Sequence, residues 1–238
     1  MNIMTEGHTV KRFDDEMIFL HRLVLEIGSL AQNQLKRAIQ TLNDKDPSAA
    51  RDVISRDQEL NDLDVQADEE FISLIVKRQP MAKDLREIIT ISKAVSDLER
   101  VGDEVRKIAQ LTIHIYDTDS SSPNKQVLRD INTMAAFVGN MLEISLIAFD
   151  ELDAPKALDV IRLDGELEEE YKSALRRLTT FVMEDSRTVG HMVDVVLGLR
   201  ALERIGGHAK NIAGYVIFLI TGSDVRHDSL ECIEKQIL

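Results

Sequence analysis

Asp97 to Ala109 reads D-L-E-R-V-G-D-E-V-R-K-I-A, and Ala201 to Ala213 reads A-L-E-R-I-G-G-H-A-K-N-I-A. Leu-Glu-Arg-aliphatic-Gly stands at the same place in both, and so does Ile-Ala near the end. Glu203 follows Glu99 by 104 positions, nearly half of the 238 residues. The chain is therefore read as an internal duplication. Its repeated unit carries Glu99 one helical turn before Asp103, with Gly102 between them.

The composition fits that reading. Duplication divides the chain into halves of about 115 residues, each long enough for its own core. Apolar residues make up 44%, Trp is absent and Pro occurs only 4 times. Ala, Leu, Ile, Glu, Asp and Arg dominate, which favours helix over sheet. The net charge is −13. Such a surface opposes binding to nucleic acid, which needs Lys and Arg to replace phosphate counterions. It also disfavours contact with an anionic membrane, and it suits cations or basic protein partners. The single cysteine, Cys232, rules out an internal disulfide and agrees with a reducing cytosol. The polar N-terminus shows no secretory signal, and the apolar run at Val216 to Ile220 is too short to span a bilayer.

Periodicity divides the chain into six long helices. The first, over 11–43, carries Phe13, Met17, Leu20, Val24, Ile27, Leu35 and Leu42 on one stripe. Pro47 starts the second, over 47–78, and Gln79-Pro80-Met81 ends it. The third spans 82–116. Asp117 to Asn124, with Ser120-Ser121-Ser122-Pro123, reads as a linker. The second half repeats the plan at 126–152, 155–184 and 188–221, with a turn between Asp185 and Ser186 and a short tail after the last helix. Asp52-Val53-Ile54 with Asp57, Glu59 and Leu60 recurs as Asp159-Val160-Ile161 with Asp164, Glu166 and Leu167. The predicted fold is all-α: a tandem repeat of two antiparallel three-helix bundles, over 1–117 and 118–238. Helices of about 30 residues, about 45 Å long, pack this way when their loops are short.

Hairpin counting places the acids. With the turn at Pro80, Asp57 lies level with Asp103, and Asn61 with Glu99. In the second half Glu168 lies level with Glu203, and Asp164 with Gly207. Carboxylates four apart share a helical face, and burying them unpaired is costly. Clusters at one level therefore point to a cation, and oxygen ligands suit Mg, Ca, Mn or Fe(III). The candidate ligands are Asp57, Asn61, Glu99 and Asp103 in the first copy, and Asp164, Glu168 and Glu203 in the second. Asp64 and Asp68 form a weaker pair, level with Ser96 and Ser92. The plain alternative is a solvated acidic face balanced by Arg100, Arg106, Arg204 and Lys210. Gly102 reads either as room for close helix packing or as room for a ligand. His208 reads as an exposed helix residue. No Glu-x-x-His, Gly-rich phosphate loop, Gly-x-Ser-x-Gly or Cys-x-x-Cys is present. This argues against the alternative of a carboxylate-bound metalloenzyme.

Leu98-Glu99-Arg100-Val101-Gly102-Asp103, its copy Leu202-Glu203-Arg204-Ile205-Gly206, Lys77-Arg78-Gln79-Pro80 with Asp84-Leu85-Arg86, and Met183-Glu184-Asp185-Ser186-Arg187 together resemble the PhoU family of bacterial regulators of phosphate uptake. The resemblance covers nearly the whole chain. It implies two three-helix bundles, a homodimer, and acidic motifs that hold a divalent or trivalent metal ion: Mn, Fe, Mg or Zn. It also implies a non-enzymatic cytoplasmic protein, peripheral to the inner membrane through its partners. Those partners are a phosphate-sensing histidine kinase and the ATPase subunit of the phosphate ABC transporter. Such a protein restrains the phosphate regulon when phosphate is plentiful and limits uptake. Gly207 stands where the family pattern has Asp, so the first copy is expected to be the better metal site.

Overall fold

Each predicted break carries its own local cause. Asp46 caps the helix that begins at Pro47, accepting from the backbone N–H of Ser48 and Ala49 at 2.9 and 3.0 Å. Asp153 repeats the device, accepting from the backbone N–H of Lys156 at 2.9 Å. Gln79 closes its helix in the left-handed region, with φ 48°, and donates to the Ile75 carbonyl. The computed structural model describes residues 11–117, 125–184, 189–226 and 228–237. The N-terminal tail, most of the Ser-rich linker and the Asp185–Ser186 turn lie outside the described residues.

The elements are α1 (Lys11–Asp44), α2 (Pro47–Ser55), α3 (Asp57–Arg78), α4 (Lys83–Tyr116), α5 (Lys125–Glu151), α6 (Ala154–Glu184), α7 (Val189–Thr221) and α8 (Leu230–Ile237). No strand occurs among the described residues. The all-α expectation holds, with two departures in detail. The helix predicted over 47–78 is interrupted at Arg56. There the Gln34 side chain donates to the Arg56 carbonyl at 3.0 Å, while Glu59 N–H reaches back only three residues to the same carbonyl. The break makes Asp57 the first residue of α3, where the helix dipole favours an acid. Its counterpart Asp164 lies inside the unbroken α6. The second departure is α8, expected to be plain tail. It buries Ile233 and ties Glu234 to Arg162 of α6 at 2.6 Å.

The halves share one continuous core. The most extensive helix contact joins α4 to α7, the equivalent helices of the two repeats. Around this pair, α4 also packs on α1, α2 and α3, and α7 on α5 and α6; α1 touches α5. The α4–α7 pair is antiparallel, because Asp97 meets His208, Glu104 meets Arg204 and His114 meets Asp194. That register sets Gly102 level with Gly206, so the motif copies cross at their glycines. Both glycines serve packing. A Cβ on Gly102 would lie 2.6 Å from Leu60, and one on Gly206 would lie 2.1 Å from Leu167. Helix α5 is long and apolar enough to cross a bilayer, but half of its most apolar window is buried in this core.

Candidate carboxylate site and the junction between the repeats

Two of the three predicted first-copy acids, Asp57 and Asp103, meet on one arginine where α3 passes α4. Asp57 is buried beside Gly102, whose missing side chain leaves room for it: a Cβ there would stand 3.1 Å from Asp57 Oδ1. The Arg106 guanidinium sits between Asp57 Oδ2, at 3.3 Å, and Asp103 Oδ1, at 2.8 Å. Burial pushes the Asp57 carboxyl up, Arg106 pulls it back, and Asp103 adds a further push upward. Glu99 lies one turn along. Burial raises its carboxyl above the ordinary range, and the charges of Asp103, Asp64 and Asp57 raise it further against Arg100. Asp64 is also raised, by burial and then by Asp68. Asn61, on α3 between Asp57 and Asp64, is half-buried.

The second copy is arranged differently. Asp164 pairs with Lys210 at 2.7 Å, Glu168 with Lys172 at 2.8 Å, and Glu203 with Arg200 at 3.0 Å. Glu168 is exposed, and its carboxyl is held low by Lys172 and then Lys210. Each acid thus has its own cation, and a Cβ on Gly207 would meet nothing within 4 Å. As the side chains stand, no three His, Cys, Asp or Glu among the described residues converge closely enough to hold a metal ion. The donor chemistry still separates the copies. In the first, the Asp57 and Glu99 carboxyls are pushed up by burial and by neighbouring acids, while in the second each acid has a cation of its own.

The most connected polar group at the junction is Asp97, which motif reading passed over. It is buried on α4 and takes three hydrogen bonds from α7. His208 Nδ1–H donates to Oδ1 at 2.7 Å, Asn211 Nδ2 donates to the same oxygen at 3.2 Å, and the Tyr215 hydroxyl donates to Oδ2 at 2.8 Å. Burial pushes this carboxyl up, but the bonds from His208, Tyr215 and Asn211 outweigh it and hold it below the ordinary range. His208 is therefore an enclosed junction residue, not the exposed helix histidine expected. The signal lay in a second stripe on α4: Ala94, Asp97, Val101, Glu104 and Ile108, all buried.

Beside this network a cleft of about 530 Å³ opens between α4, α6 and α7. Arg100 and Arg204, the same position in the two motif copies, both line it, as do Asp103, Asp164 and Glu203. Acids of both copies thus reach one cleft.

Taken together, two fused helical repeats with their motif copies crossed at the centre define a duplicated helical-bundle protein. A match to the PhoU domain covers residues 24–112 and 131–216, once in each repeat. The chain belongs to the PhoU family. The phosphate-specific transport system accessory protein PhoU homolog of Pseudomonas aeruginosa is 38% identical over 97% of this chain and 94% of its own length. The phosphate-specific transport system accessory protein PhoU of Escherichia coli strain K12 is 32% identical over 96% of this chain and 93% of its own. The crystal structure of PhoU from Pseudomonas aeruginosa superposes with a TM-score of 0.84 at 38% identity, covering 89% of this chain and all of that one.

Proposed function

We propose that this chain is an accessory regulator of phosphate uptake that acts by binding other proteins and not by catalysis. The observation that carries the reading is its end-to-end correspondence, through both repeats, with relatives named as accessory proteins of the phosphate-specific transport system. In this reading it is an adaptor between the ATPase subunit of a phosphate ABC transporter and a phosphate-sensing histidine kinase. It restrains the kinase when phosphate is abundant. It works as a homodimer in the cytoplasm and reaches the inner membrane through these partners. A net charge of −13 supports a protein-binding role in preference to a nucleic-acid one.

The first-repeat carboxylates are the metal site in this reading. Asp57, Asn61, Glu99 and Asp103 supply the oxygen ligands, and Arg106 gives way to a divalent or trivalent cation such as Mn or Fe. Such an ion, when bound, would supply positive charge against the acids around Glu99. Asp164, Glu168 and Glu203, each already paired with a Lys or Arg, take no metal in this reading.

The adaptor role is tested by reconstitution. The purified chain is immobilised and offered the host's transporter ATPase and the cytoplasmic part of its sensor kinase, singly and together. Retention of both, including a ternary complex, is the expected result. Retention of neither overturns the adaptor reading.

A further inference from the structure

The duplication supplies an internal comparison for the outer face of α3. Each α3 residue stands 107 positions before its α6 counterpart, as Asp57 does before Asp164. The inner faces agree: Leu60, Ala67 and Phe71 are buried in α3, and Leu167, Ala174 and Leu178 in α6. The outer faces do not. Val65, Ile72 and Val76 of α3 are 58%, 65% and 69% exposed. Their spacing of seven and four sets them in one line, opposite the buried face. The matching residues of α6 are Lys172, Thr179 and Met183. The fold therefore does not require apolar residues at the first two positions, where its other copy has Lys172 and Thr179; at the third, both copies carry an exposed apolar residue, Val76 and Met183.

The edges of this line are charged. At 100° per residue, Asp62 and Glu69 border one side and Asp68 the other, all exposed. The α6 counterparts of Asp68 and Glu69 are Leu175 and Arg176. Toward α1, beyond Ser73 and Lys77, lies a separate cleft of about 300 Å³ with Phe19 on one wall and Asp15, Glu70 and Lys77 at its edges. Val65 to Val76 spans about 16 Å, three helical turns.

We infer that the outer face of α3 docks an amphipathic helix of a partner protein whose apolar stripe is bordered by Lys or Arg. Such a helix lays its apolar residues on Val65, Ile72 and Val76 and its bases on Asp62, Asp68 and Glu69. Opposite charges at the edges set its register and speed its arrival. A second copy of this chain would bring acidic edges against each other, and an anionic membrane would be repelled. The inference rests on the regulator reading only for where the partner is sought.

The test introduces a photoreactive phenylalanine analogue at Ile72 or, as control, at Thr179, in the full-length chain in its host. Adducts are mapped by mass spectrometry. At least about tenfold more adduct from position 72, to a protein helix with a basic border, is expected. A V65K/I72T variant, which copies α6 at these two positions and so keeps the fold, carries no probe and is compared with the parent chain by affinity capture from the same host; it retains at least about tenfold less of the adducted protein. Adducts only to a second copy or to lipid, equal yield from both positions, no adduct, or a V65K/I72T variant with undiminished capture would each overturn the proposal. A mapped basic helix in a strain whose phosphate control ignores deletion of this chain keeps the docking face and removes the regulator reading.

Discussion

The Tyr215 hydroxyl of the second repeat donates to Asp97 Oδ2 of the first at 2.8 Å, with both residues buried. With His208 and Asn211 on the other oxygen, Asp97 makes the junction of the repeats a polar lock inside an apolar core. A buried carboxylate is costly unless it is fully partnered, so these bonds also fix one register of α4 on α7.

Tyr215→Phe is predicted to cost about 1.5–3 kcal/mol, the loss of one hydrogen bond to a buried charge. Urea unfolding at neutral pH measures it. Because the Asp97 carboxyl is held below its ordinary value in the folded state, the unfolded chain binds that proton more readily. The stabilisation is complete above the ordinary carboxylate value, about 3.9, and fades as pH falls through the lower folded value. Asp97→Asn therefore destabilises most near neutrality, and its effect shrinks in strong acid.

Gly206→Ala is predicted to destabilise by about 1–3 kcal/mol. The new methyl would sit 2.1 Å from the Cδ2 of Leu167, which is itself buried in the core. Gly207→Ala, one residue on and facing open space, is predicted to stabilise by up to about 1 kcal/mol through helix propensity. Thermal melts of the pair separate packing from backbone effects.

In the metal-free chain, Glu99→Gln is predicted to raise the melting temperature at pH 7. The folded chain holds the Glu99 proton above the ordinary range, so ionisation costs native stability. That cost appears as pH rises from the ordinary carboxylate value through the raised one. Below the ordinary value the variant and the parent should melt alike.

A hard cation is predicted to act through the first repeat alone. Manganese at about a hundredfold its dissociation constant should raise the melting temperature by about 5–10 °C. Asp103→Asn should abolish the rise, and Glu203→Gln should leave it. An equal loss in both variants would place binding elsewhere.

The helices were legible because their stripes are long and regular. Phe13 through Leu42 faces the core as its spacing requires. The interruption at Arg56 was hidden because its cause, the Gln34 side chain, comes from another helix. Hairpin counting brought Asp57 to Asp103, since level matching needs only the turn position. Arg106, one of the cations named in the alternative of a balanced acidic face, stands between them, a placement that level matching alone does not give. Asp97 escaped for a related reason. An acid on a stripe reads as solvent-facing until a second repeat is known to cover it.

The most direct test of the regulatory account is deletion of this chain in its host, followed by alkaline phosphatase assay in high phosphate. The account predicts derepressed phosphatase, restored by the intact chain in trans. Unchanged repression without the chain would contradict it.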